Sequence, residues 1–99
     1  MTLDDFRKSI EEEEEPPANA SIALQALWWA GKADWQKAHE LAQSDSGSHA
    51  SWVHAYLHRQ EGDEGNAGYW YSRAGKPEGK GSFLSELEQI ASVLLEAER

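Results

Sequence analysis

The chain has 99 residues, the length of one small domain. Eighteen Asp and Glu against nine Lys and Arg leave a net charge of −9. That argues against nucleic acid and anionic membrane surfaces as partners, since both are recognised through basic patches. The absence of Cys excludes disulfides, thiolate catalysis and Cys-ligated zinc. No apolar run approaches the ~20 residues of a membrane span. The acidic N-terminus lacks the apolar core of a secretory leader, so a cytoplasmic protein is expected.

Residues 1–15 read as a short acidic helix. Thr2 is placed to cap it, with Asp4 and Asp5 in its positive first turn. Leu3, Phe6 and Ile10 fall on one stripe that would dock on the rest of the domain. Glu11 to Glu15 form a run of like charge, read either as a solvated helix end or as a lure for a basic partner. Pro16-Pro17 then stops the helix.

Residues 20–44 read as a first helical hairpin. Asn19 or Ser21 caps a helix running from Ile22 to Ala30. It is apolar on nearly every side, as in a helix packed between neighbours. Trp28 and Trp29 point about 100 degrees apart. One of them is expected to face a groove, and Trp28 is taken as a candidate partner-binding residue; the other reading places both in the core. Gly31-Lys32-Ala33 turns the chain, and Asp34 caps a helix carrying Trp35, Ala38, Leu41 and Ala42. Residues 43–48 form a polar loop.

Residues 49–75 read as a second hairpin. Trp52, Val53, Tyr56 and Leu57 place one apolar stripe on its first helix. Gly62 can stop that helix, and Asp63 can cap the next, where Ala67, Trp70, Tyr71 and Ala74 share a face. The corner 33–38 aligns with 62–67 at an offset of 29 residues. Such internal similarity marks a stacked helical-hairpin array. The order Gly62, Asp63, Ala67, Tyr71, Ala74, and above all residues 67–75 (AGYWYSRAG), resembles tetratricopeptide-like (TPR) repeats of the SEL type. The first hairpin keeps Asp34, Trp35 and Ala38, with Ala33 where that family favours Gly. The likeness covers residues 20 to 77. It implies an all-α fold of stacked antiparallel hairpins, five or six helices in all, and a role as a protein or peptide interaction module.

Residues 82–98 read as an amphipathic helix with Phe83, Leu84, Leu87, Ile90, Ala91 and Leu94 on its apolar side. It either shields the last hairpin or, with Val93 and Leu95 widening the apolar surface, assembles a homo-oligomer.

One constellation has metal-ligand character. His54, His58 and Glu61 are spaced i, i+4, i+7, so all three project from one side of a helix, opposite the Trp52 and Tyr56 stripe. Two His one turn apart can reach one ion, with a carboxylate as third ligand and His39, His49 or Glu40 supplying what remains. The other reading makes them a polar wall of the repeat groove. In that groove His54, His58, Tyr69 and Arg73 would line a surface for a peptide. No spacing supports Ser or paired-carboxylate catalysis, and no phosphate-binding loop occurs. The expectation is a non-enzyme with no cofactor that binds a protein or peptide. The alternatives are a metal- or small-ligand-binding protein using His54 and His58, and a structural oligomer.

Overall fold

The caps foreseen from the sequence form in the computed structural model, which describes residues 1–98. Among these residues the chain is all-α, with six helices and no strand. None of the helices is long and apolar enough to cross a membrane.

Helix α1 (Leu3–Glu12) begins in a capping box. The Thr2 hydroxyl accepts from the Asp5 amide, and the Asp5 carboxylate accepts from the Thr2 amide. Phe6 is fully buried. The helix ends inside the glutamate run, where negative side chains oppose the negative end of the helix dipole. Lys32 relieves that mismatch by donating to the carbonyls of Ile10 and Glu13, both at 2.5 Å. Gly31 permits the approach, because a β-carbon there would lie 2.8 Å from Ile10 Cδ1.

Helices α2 (Ile22–Gly31) and α3 (Trp35–Gln43) form the first hairpin, and α4 (Ser48–Gln60) and α5 (Glu64–Ala74) the second. Ser21 caps α2 by accepting from the Leu24 amide. The two corners are the same object built twice. Ala33 (φ 65°) and Gly62 (φ 83°) both adopt the left-handed conformation. The Asp34 and Asp63 amides donate to Trp29 O and His58 O, both at 2.9 Å. Both aspartates then cap the next helix, accepting from Lys37 N and Asn66 N. The 29-residue offset read from the sequence is thus a repeat of geometry as well as of letters.

Ala33 is the position where this repetition is imperfect, an alanine where the second corner has Gly62. Gly31 is the last helical residue; the positive φ falls on Ala33. A side chain in that conformation costs roughly 1–2 kcal/mol, whereas glycine returns about 0.4–1 kcal/mol to the unfolded chain's entropy. Ala33→Gly is therefore expected to stabilise the domain by about 0.5–1 kcal/mol. Thermal melting should show a rise of a few degrees; a fall would contradict the corner geometry.

Helix α4 is the centre of the molecule. Every residue from Ala50 to His58 is buried. Its contacts divide in two: α2 and α6 (Phe83–Ala97) on one side, α3 and α5 on the other. Helices α2, α4 and α6 touch one another pairwise, so α6 lies against both first helices of the hairpins. Helix α1 covers α2 and α6.

The buried face of α6 is shifted from the sequence expectation. Leu87, Ile90, Ala91, Leu94 and Leu95 are buried, but so is Glu86. Phe83 and Leu84 are exposed. The reason is polar. Glu86 Oε1 accepts from Arg59 at 2.9 Å, and its Oε2 accepts from the Tyr71 hydroxyl at 2.5 Å. That network turns the first turn of α6 toward α4 and α5 with its carboxylate inward. Gly79 is required beside it, since a β-carbon there would collide with the Glu86 carboxylate.

Candidate functional site

The side of α4 turned away from α6 carries His54 and His58, one turn apart. Helix α3 brings His39 against them, and α5 brings Trp70. The three imidazoles lie together: ring centroids are 4.7 Å apart for His39 and His54, 5.3 Å for His39 and His58, and 4.9 Å for His54 and His58. One nitrogen from each lies within 4.8 Å of the others.

Two indoles clamp this triad. Trp35 stacks on His39 at 4.8 Å with 9° between planes, and Trp70 stacks on His54 at 3.9 Å with 11°. Trp35 is itself held by donating to Leu57 O at 2.8 Å. Beyond Trp70 the row continues to Tyr69, edge-on at 5.2 Å. Arg73 lies over the Trp70 ring at 5.1 Å and donates to the Tyr69 hydroxyl at 3.4 Å. Six rings from three helices therefore run in one unbroken series, from Trp35 to Tyr69, with a guanidinium at its end.

Glu61 has a role different from the one its spacing suggested. Its carboxylate pairs with His58 Nδ1 at 2.6 Å. A carboxylate only accepts, so Nδ1 carries the proton and a neutral His58 keeps its lone pair on Nε2. His39 joins His54 and His58 in one group of possible ligands, while Glu61 and Asp63 form a second group around His58. His49 and Glu40, the other two considered, stand outside the triad.

Two of the three imidazoles are made less basic by their surroundings. Burial, reinforced by His39 and His58, lowers the His54 pKa to about 4. Burial and then His58 also lower that of His39. Among the described residues neither ring hydrogen-bonds to a protein group, and no fully enclosed side-chain nitrogen lacks a partner. Their nitrogens therefore reach solvent even though His54 as a residue is only 4% exposed.

Trp28 is a correction. It does not line a binding surface: it is fully buried, and its Nε1 donates to Ser9 Oγ at 2.9 Å between α1 and α2. Trp29 faces outward instead, edge-on to Trp28 at 5.0 Å and 82°. It lines a cleft of about 530 Å3 with Pro16, Gln25, Lys37 and Leu41. The Lys37 ammonium sits 4.3 Å over the Trp29 ring. The cleft shares no residue with the imidazole cluster. Its polar lining also includes Glu15, Glu40 and Ser44, and no histidine reaches it.

Of the residues singled out from the sequence, His54, Tyr69 and Arg73 are joined through Trp70, and His58 joins them through His54. Sequence reasoning named His39 only as one of three further ligand candidates, and it missed Trp35 and Trp70 as members of the site. Trp35 and His39 are one turn apart on the helix that Asp34 was expected to cap, which is the signal that could have joined them. No protein-family model matches the chain, and no match is found among curated proteins or solved structures.

Proposed function

We propose that the chain is a small TPR-like interaction module that binds a protein or peptide segment on the face formed by α3, α4 and α5. The supporting observation is the continuous series Trp35, His39, His58, His54, Trp70, Tyr69 ending at Arg73. Trp, Tyr and Arg are the residue types that dominate binding energy at interfaces, and here they are held in register by stacking before any partner arrives. Pre-arranged side chains lose little entropy on binding. Helix α6 packs on α2 and α4, which leaves α3 and α5 uncovered by it. Glu61, Asp63 and Glu64 border the ring series and are exposed; with a net charge of −9 they favour a segment that carries Lys or Arg beside an apolar or aromatic anchor.

The test is a selection of displayed peptides against the immobilised chain. Selected peptides should be basic, and their affinity should fall about 30-fold or more with Tyr69→Ala or Arg73→Ala, the loss of a residue worth about 2 kcal/mol. Leu84→Ser, on the exposed side of α6, should change nothing. Peptides that respond to Leu84 and ignore Tyr69 and Arg73 would move the binding face elsewhere, and failure to select any peptide would count against the reading.

A further inference from the structure

We propose that His39, His54 and His58 form a binding site for one divalent transition-metal ion of the zinc type, with Glu61 as the outer carboxylate that orients His58. This goes beyond peptide binding and does not depend on it.

Four observations carry it. The first is convergence. Three imidazoles from two helices place one nitrogen each within 4.8 Å of the others. A tetrahedral ion with metal–nitrogen distances of about 2.0–2.1 Å needs those nitrogens about 3.3–3.4 Å apart. Closing the triad around an ion therefore takes changes of about 1.5 Å or less in the nitrogen–nitrogen distances.

The second is the set of donors. Three nitrogen ligands with no thiolate suit zinc, cobalt, nickel and copper and disfavour magnesium and calcium, which take oxygen. With three protein ligands the fourth position falls to water, the arrangement of an open site.

The third is the outer shell. A metal-bound histidine characteristically donates its other ring N–H to a carboxylate, which fixes tautomer and orientation. His58 does this through Nδ1 to Glu61 at 2.6 Å. Trp35 and Trp70 fix the planes of His39 and His54 by stacking at 9° and 11°.

The fourth is what the cluster lacks. His39 and His54 have no protein hydrogen-bond partner among the described residues, so their ring nitrogens are not already committed to the protein.

The experiment is calorimetric titration of the full chain, free of any affinity tag, with Zn2+. The expected result is saturable binding at one ion per chain. His39→Ala and His54→Ala should each weaken it at least ~10-fold, and Glu61→Gln should weaken it roughly 10–100-fold while leaving the ligands in place. His49→Ala removes the remaining histidine and should bind as the parent does. Co2+ in place of Zn2+ should give the strong visible absorption of a four-coordinate ion, and the weak spectrum of the six-coordinate aqueous ion would contradict the site. If a His39 or His54 variant loses its helical circular dichroism, the Glu61→Gln titration and the Co2+ spectrum of the parent decide the matter. Absence of saturable binding by the parent overturns the proposal, as does binding that survives the His39→Ala/His54→Ala double change or disappears with His49→Ala.

Discussion

Glu86→Leu is expected to destabilise the domain by about 3 kcal/mol or more. The Glu86 side chain is 3% exposed and faces an Arg59 side chain that is 19% exposed. Removing one partner of such a pair leaves an uncompensated charge, at a cost of about 3–5 kcal/mol. The lower end applies, because Arg59 keeps a bond to Gly81 O and its contact with the Phe83 ring. The Tyr71 hydroxyl also loses its acceptor, for which about 1–3 kcal/mol is typical. The two losses share one carboxylate and do not simply add. Urea denaturation followed by circular dichroism measures the effect, and a double-mutant cycle isolates the pair. Arg59→Met should be milder in the Glu86→Leu background than alone, since an apolar pair replaces the ion pair without a stranded charge. If Glu86→Leu is neutral, desolvation already cancels whatever the network contributes.

Trp28→Ala should cost about 3–5 kcal/mol, the range for deleting a large buried side chain. Against a total stability of about 5–15 kcal/mol for a domain, that leaves the chain close to unfolding at physiological temperature. The indole is fully buried where α1 meets α2, and Lys32 lies 5.2 Å from its ring centroid while holding the end of α1. Trp28→Phe keeps most of the volume and strands only Ser9 Oγ, which still donates to Phe6 O; a milder loss is expected. The Ala and Phe variants together separate the packing contribution from that of the hydrogen bond. A small loss for both would mean that α1 contributes little to the fold.

Much of the architecture was readable because helix ends are written locally. Thr2, Ser21, Asp34, Asp63 and Ser82 each cap the helix that follows them, and each bond spans three residues. The paired corners could be aligned because a left-handed residue followed by an aspartate is a short and specific pattern. What could not be read depends on which helix faces which. His39 and His58 are 19 positions apart and meet only because α3 packs on α4. Glu86 sits on an apolar stripe where charge is unexpected; its partners Arg59 and Tyr71 lie 27 and 15 residues away. Trp28 and Trp29 were a choice between two directions, and the choice depended on where α1 docks. Glu61 shows the same limit on a smaller scale. Its spacing from His58 was right for contact, but spacing alone does not say whether a carboxylate approaches an ion or the far side of a ligand.

Helix α5 packs on α4 and no other helix to any comparable degree, yet two consecutive residues tie it in opposite directions. Trp70 lies on the imidazole of His54, and Tyr71 grips the carboxylate of Glu86 on α6. The helix is thus a crossbar between two fastenings, and any tilt that lifts Trp70 from the ring also pulls on Tyr71. A change in the tilt of α5 at the histidine side therefore bears directly on the Tyr71–Glu86 bond at the start of α6. The same tie runs backward: loosening the first turn of α6 slackens the indole that holds His54 in plane.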